Sequence, residues 1–230
     1  MKSQIEVADS LFDLGQSLQC ALDTQRSMQL FSDALKEYKR HLESQSDIRI
    51  AKCHSCLGEI YEKENQLPKS VKELLKATHI YESQLGTDPP EKTIKASKGT
   101  DEYAGLAETL FRLATAQDRL GEEVTALKLY RRSMKLYKTL FGRDSLDVAK
   151  ILNRLANMKG RGGSVDKAMV LFDESLRIRM LHLGSNNEEG MCLFVIPGCC
   201  CLSSTYLFCR FRQLRRHCSE VSSCGEVVFC

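Results

Sequence analysis

The first 190 residues lack the clustered residue types that metal and covalent chemistry need. Only three of the eleven cysteines, Cys20, Cys53 and Cys56, lie in that stretch, and the other eight fall between Cys192 and Cys230. A structural zinc site takes four ligands, usually from two close pairs. Cys53-His54-Ser55-Cys56 has no second pair in this stretch, so it reads as buried thiols at small-residue positions of a helix. Cys218, Cys224 and Cys230 match no zinc or haem spacing. There is no Gly-x-Ser-x-Gly, no phosphate-cradling loop and no His-Glu-x-x-His. Gly160-Arg161-Gly162-Gly163 lacks the strand and the Lys-Ser/Thr of a phosphate loop and reads as a turn between helices. No enzyme activity, cofactor or metal is expected.

Charge of one sign is missing too. The chain has 33 Lys plus Arg and 30 Asp plus Glu. Residues 190–230 hold four of the cations and two of the anions, which leaves a near-neutral remainder with no clustered basic stripe. Nucleic acid is therefore not an expected partner. No apolar segment comes after Met1, so a signal peptide is not expected, and the scarcity of cysteine before residue 190 suits a reducing cytoplasm.

A repeat is present. The pairs Leu14-Gly15, Leu57-Gly58, Leu113-Ala114 and Leu155-Ala156 open one pattern. Thirteen residues after each leucine stands a small residue (Ser27, Ser70, Ala126, Ala168). Four later comes a large apolar one (Phe31, Leu74, Tyr130, Phe172), and three later another small one (Ala34, Ala77, Ser133, Ser175). The spacing is 43 residues, then 56, then 42, so the second gap contains an insertion. Residues 87–101, polar and carrying Pro89-Pro90, read as that insertion and as a loop. In the third unit Leu106, Leu110, Leu113 and Gln117 fall at i, i+4, i+7 and i+11, one face of an amphipathic helix. Gly121 stops it, and Val124, Leu127, Tyr130, Met134 and Tyr137 form the next apolar series. Gly86, Gly142 and Gly184 stand where a helix C-cap is expected, and Asp144 and Asn186 are placed to N-cap the helices after them. A single unit cannot bury its apolar face, so the units must stack. The expectation is an all-α solenoid of eight helices in four units, about 5–44, 48–86, 102–142 and 144–184.

These residues resemble the tetratricopeptide repeat. The match lies in the Leu–Gly/Ala pair, the small residue thirteen on, the aromatic four later and the small residue three after that. The 42-residue period with Leu/Phe-Gly endings resembles the longer repeats of kinesin light chains, most closely in the fourth unit. Four features depart from the pattern: Ser27 and Ser70 replace the usual alanine, Pro68 falls in the turn of the second unit, Lys159 stands where the family prefers tyrosine, and Gly160, Gly162 and Gly163 loosen the turn of the fourth. HEAT-type repeats share a period near 40 but not this small-residue pattern.

The resemblance implies a right-handed superhelix whose first helices line a concave groove that binds partner proteins through an extended or helical segment. Counting from the opening leucine, it implies groove positions at Phe12 and Gln16, Ser55 and Glu59, Phe111 and Thr115, and Asn153 and Asn157. Charges at Asp9, Lys52, Glu62, Glu108, Asp118 and Lys150 lie beside them. In kinesin-light-chain-like repeats, asparagine at these places binds a peptide backbone, since its amide both donates and accepts. Asn153 and Asn157 match that pattern. Repeats that clamp the carboxylate tail of chaperones carry Lys two before and Asn two after the leucine, and this chain has no such pair.

From Gly190 to Cys209 charge vanishes, and Arg210, Arg212, Arg215 and Arg216 come next. Residues 187–230 read in three ways: a membrane anchor of spanning length, a segment lipidated at Cys199, Cys200 and Cys201, or a tail without designed fold that replaces further repeats. The abrupt change of composition at a unit boundary favours the third. The last unit is then uncapped and invites self-association, because solenoids need polar end caps.

Overall fold

The computed structural model describes residues 2–21, 23–42, 44–87, 90–96 and 100–183. Among these residues there are nine helices and no strand: α1 (Lys2–Cys20), α2 (Thr24–His41), α3 (Ile48–Lys63), α4 (Leu67–Leu85), α5 (Glu91–Ala96), α6 (Thr100–Arg119), α7 (Glu123–Phe141), α8 (Leu146–Arg161) and α9 (Val165–Leu183). The chain forms two compact units, residues 1–155 and residues 156–230. In the first, α1 packs on α2, α3 on α4 and α6 on α7, and α2 and α4 carry the next pair. The second holds the end of α8 and α9. The four opening leucines lie in α1, α3, α6 and α8, the first helix of each pair. Gly184, Asn186 and the segment 187–230 lie outside the described residues.

Small residues set the distance between paired helices. Alanine stands six residues before the opening leucine in every pair, at Ala8, Ala51, Ala107 and Ala149, and all four are fully buried. Behind the leucine the pairs use two solutions. The first two combine Gly15 with Ser27 and Gly58 with Ser70. Ser27 Oγ donates to the Gly15 carbonyl at 2.9 Å, and Ser70 Oγ to the Gly58 carbonyl at 2.7 Å. A Cβ at Gly15 would meet the Phe31 ring at 2.9 Å, and one at Gly58 would meet Leu74 Cγ at 2.6 Å. The later pairs use alanine at both positions (Ala114 with Ala126, Ala156 with Ala168). Ser27 and Ser70 are thus not departures from the repeat's packing. Their hydroxyls find a buried acceptor, without which burial costs energy.

The turn inside the second, third and fourth pairs has one geometry. Gly121 and Gly163 adopt φ of +86° and +76°, and Asn65 holds the equivalent place at +61°. The next N–H then reaches back five residues: Gln66 to Tyr61, Glu122 to Gln117 and Ser164 to Lys159, each at 2.8–2.9 Å. This is the Schellman closure, and it needs the left-handed conformation that Gly and Asn reach at little cost. Gly163 therefore forms the turn that the run of glycines was expected to loosen. Pro68 lies inside the first turn of α4 rather than in the turn before it. Proline is welcome there, because that N–H has no helical partner.

Two further expectations change. The insertion is not a plain loop, because α5 forms within it, opened by bonds to the Pro90 carbonyl and seated against α7. Ile94, the only large apolar residue of the stretch, is buried and supplies the reason. The helix count is thus nine among the described residues, not eight. The N-cap of α8 is Ser145, whose hydroxyl accepts from the Val148 N–H at 3.4 Å, rather than Asp144.

A buried polar tie crosses from α3 to α4. His54 Nδ1 lies 2.6 Å from Glu73 Oε2, and Lys76 Nζ lies 2.7 Å from the other oxygen. Burial alone would raise the Glu73 carboxyl, but the hydrogen bonds from His54 and Lys76 outweigh it and hold it at about 2.

These contacts set the expected effect of substitutions. Gly58→Ala should destabilise the fold by about 1–3 kcal/mol through overpacking on Leu74. Gly160→Ala, whose Cβ would meet only Ala168 Cβ at 3.9 Å, should be neutral or stabilise by about 1 kcal/mol. Chemical denaturation of the two variants checks both. Because the folded pKa of Glu73 is depressed, its stabilisation is present above the unfolded value and is lost as pH falls from about 4.5 towards 2. Glu73→Gln should therefore flatten the acid limb of the stability curve by on the order of 2 kcal/mol, read as melting temperature against pH.

Candidate functional site

Helices α1, α3 and α6 lie side by side, and their shared inner face forms a groove of about 580 Å³. It is lined by Asp9, Phe12, Asp13 and Gln16 from α1, by Arg49, Lys52, Ser55 and Cys56 around α3, and by Gly105 and Glu108 from α6, with Tyr38 and Tyr81 behind them. Each contributing helix is held by its own pair, so the groove is a consequence of the packing described above.

A register of charges runs along it: Asp9, Lys52 and Glu108, each five residues before its opening leucine, alternate in sign. Lys150 holds the same position in the fourth pair. The acidic members are tied by tyrosines of the second helix. Tyr38 Oη donates to Asp9 Oδ1 at 2.5 Å, and Tyr137 Oη to Glu108 Oε2 at 2.8 Å. Burial and the neighbouring carboxylates push both phenols well above their ordinary range, so they remain neutral donors. In the second pair the equivalent residues are Tyr81 and Lys52. There the phenol lies against Gly105, where a Cβ would stand 2.6 Å from its oxygen.

Arginines bind the helices across the groove. Arg112 reaches Glu59 at 3.1 Å and Glu108 at 2.8 Å. Burial would raise the Glu59 carboxyl, but Arg112 and Lys63 bring it below its ordinary value. Arg49 pairs with both oxygens of Asp47 at 3.0 Å and stacks over the Tyr38 ring at 5.7 Å. Arg119 donates to Asn65 Oδ1 at 2.7 Å and to the Glu62 carbonyl at 3.3 Å.

The structure sorts the expected groove residues. Phe12, Gln16, Lys52, Ser55 and Glu108 line one cavity. Phe12 packs on Phe31 at 5.4 Å, and Ser55 shares a hydrogen bond with Thr109 at 3.0 Å. Glu59 and Phe111 are half-buried, the first in the Arg112 network and the second against Tyr130 at 5.8 Å. Thr115 is not on the surface: it is buried and accepts from Tyr130 Oη at 3.0 Å, because an enclosed phenol needs a partner. Lys150 is exposed and pairs with Asp147 at 2.8 Å, and Asn153 and Asn157 are half-buried on α8. Cys199, Cys200 and Cys201 lie outside the described residues. Sequence reasoning missed the tyrosines, although an acid with a tyrosine 29 residues later, in two pairs of the four, was a visible signal.

Cys53-His54-Ser55-Cys56 disperses. Cys53 is enclosed, His54 faces Glu73, Ser55 faces Thr109, and Cys56 walls the groove. Burial pushes both thiols up, Cys56 to about 12. That is the reverse of what activates a cysteine nucleophile. The groove offers donors, acceptors and aromatic surface for non-covalent recognition. Among the described residues, no helix is long and apolar enough to cross a membrane.

Comparison with known proteins agrees with this architecture. Residues 105–180 match the tetratricopeptide repeat family model. The chain is 28% identical over 186 residues to an RxLR effector protein, SFI4, of Phytophthora infestans, and 27% identical over 193 residues to a secreted RxLR effector protein, RXLR-C07, of Plasmopara halstedii. Each alignment covers 78% of this chain but 50% and 53% of the relative, so the chain spans about half the length of the curated relatives it matches. Among solved structures, BtubC (BKLC) from P. vanneervenii superposes with a TM-score of 0.62 at 17% identity, covering 100% of this chain and 94% of that one. A Podosopora anserina putative kinesin light chain with nearly identical TPR-like repeats gives 0.62 at 16% identity over 84% and 83%. Residues 105–180 thus match tetratricopeptide repeats, and the helix pairs before them follow the same plan.

Proposed function

We propose that the protein is an interaction scaffold whose groove captures an extended or helical segment of a partner protein. The observation that carries this is the cavity on α1, α3 and α6, where apolar Phe12 stands beside Gln16, Ser55 and charges of both signs. An extended peptide presents alternating donors and acceptors together with side chains, and such a mixed lining can meet both. Phe12 and Phe111 supply apolar contact. Lys52, Glu108 and Lys150 set orientation, and Asn153 takes the backbone. Tyr38 and Tyr137 hold Asp9 and Glu108 in place and reduce the ordering needed on binding.

The two relatives named as RxLR effectors favour a related reading, in which the scaffold is about half of a longer effector protein and the partner is met through it. The groove chemistry is the same in both cases. They differ in where the protein works: the low cysteine content of the repeats suits a cytoplasmic place, whereas one relative is named as secreted. Fractionation of producing cells and their medium separates the two, since the effector reading requires the protein outside the cell.

The groove itself is tested by capture with the full chain. Lys52→Glu combined with Gln16→Ala, and separately Asn153→Ala, should each weaken capture of a partner at least about tenfold, roughly 1.4 kcal/mol. Lys52 and Gln16 are exposed, so the melting temperature of the first variant should not move. Undiminished capture by both variants would move the binding site off the groove.

A further inference from the structure

The near-neutral charge of the repeats conceals one helix of a single sign. Helix α7 carries Lys128, Arg131, Arg132, Lys135 and Lys138, and its one acid, Glu123, stands at its start. At about 100° per residue, Val124, Lys128, Arg131, Lys135 and Lys138 fall within about 80° of arc. All five are exposed, and they lie opposite the buried Ala126, Tyr130, Ser133 and Tyr137. The basic stripe that the overall charge gives no sign of is therefore present on this helix.

Packing does not ask for it, because the other second helices meet the same demands with mixed charge. There acids are interspersed: Lys36 pairs with Asp33 at 2.9 Å, Arg40 with Glu37 at 2.6 Å, Lys76 with Glu73 at 2.7 Å and Arg177 with Glu174 at 2.8 Å. On α7, Arg132 is taken by Glu82 and the Thr87 carbonyl, each at 2.6 Å. Lys128, Arg131 and Lys138 form no ion pair among the described residues. A face that served solubility alone would also be polar throughout. Here Val124 stands among the cations, 69% exposed, and Leu127, Met134 and Phe141 follow one edge at seven-residue spacing. Phe141 is 54% exposed.

We propose that this face of α7 docks on an anionic lipid bilayer, with the cations at the headgroups and Val124 and Phe141 entering between them. Cations beside exposed apolar residues on one side of a helix are the pattern of an interfacial helix. A bilayer supplies charge without register, and acyl chains everywhere beneath it. An acidic peptide would use Val124 and Phe141 only by carrying apolar residues in matching positions. Nucleic acid fits less well, because no ring and no Asn or Gln stands among the cations to stack on unpaired bases or to read a duplex. A few cations at a surface hold weakly, so attachment is reversible and sensitive to salt. Helix α7 contributes nothing to the groove lining, so a docked chain keeps its groove open.

Cosedimentation of the full chain with lipid vesicles tests this. Phosphatidylcholine vesicles with about 30 mol% phosphatidylserine should retain the chain at low salt, and vesicles of phosphatidylcholine alone should not. Raising the salt to about 0.5 M should release it. Arg131→Glu with Lys138→Glu should weaken retention at least about tenfold. The melting temperature of that variant should not move, because both side chains are exposed. The same change of net charge on α2, Lys36→Glu with Lys39→Glu, should weaken retention far less. A chain that the anionic vesicles do not retain overturns the proposal, as does retention that the α7 variant leaves intact or that both variants reduce equally. Retention lost only with Arg210→Gln and Arg212→Gln would give the membrane contact to residues 187–230 and exclude α7. A chain that ignores vesicles but binds polyglutamate or duplex DNA through Arg131 and Lys138 would assign the face to another polyanion and exclude the bilayer.

Discussion

The closeness of the two helices in each pair is the constraint on which everything else rests. Backbones meet where side chains are absent or reduced to one carbon, at Ala8, Ala51 and Ala107 and at the residue after the opening leucine. Where that residue is glycine, the facing helix comes near enough for a serine hydroxyl to reach its carbonyl; where it is alanine, an alanine faces it. The large residues Phe31, Leu74 and Tyr130 then fill what remains and are fully enclosed. Dense packing of this kind forfeits contact energy at any gap and stores strain at any excess, so the pairs behave as rigid bodies.

Rigid pairs make the groove a property of the repeat rather than of any loop. In the first three pairs the side chain five residues before the opening leucine lines the groove. The chain uses that place for charge of alternating sign, and two of the four charges are braced by tyrosines from the partner helix. The bracing phenols are themselves buried and stay neutral at ordinary pH, so they remain donors. Arg112 links neighbouring pairs through Glu59 and Glu108, which couples the groove's shape to its electrostatics.

The parts of this design that obey a period were legible in the sequence. Helix pairs, small positions and glycine ends recur at 42 or 43 residues, and each has one physical cause. What escaped reading lacks a period. Helix α5 depends on a single buried isoleucine in a polar stretch, which no window average detects. The tyrosine–acid ties connect two helices 29 residues apart and appear in only two pairs. Thr115 sits on a position that faces the groove by count, yet it is drawn inside by the hydroxyl of Tyr130. Ser27 and Ser70 looked like departures when read alone and make sense only beside Gly15 and Gly58. The groove positions named from the resemblance divide as well: Phe12, Gln16, Lys52, Ser55 and Glu108 line the cavity, whereas Glu59, Phe111 and Thr115 are taken up by packing, hydrogen bonds and ion pairs.

The boundary between neighbouring pairs is closed differently each time. Tyr38 lies under the Arg49 guanidinium, Tyr81 presses on Gly105, and Tyr137 has the negative field of Asp147 nearby. Glu6, Arg49 and Asp147 hold the register that Gly105 holds in the third pair, and any of them set against Tyr81 would bring a Cβ into its oxygen. The repeats are alike in plan but not exchangeable in position. Their order is written into the seams, so a duplication or shuffling of one unit would have to alter a residue in the next before the array could close again.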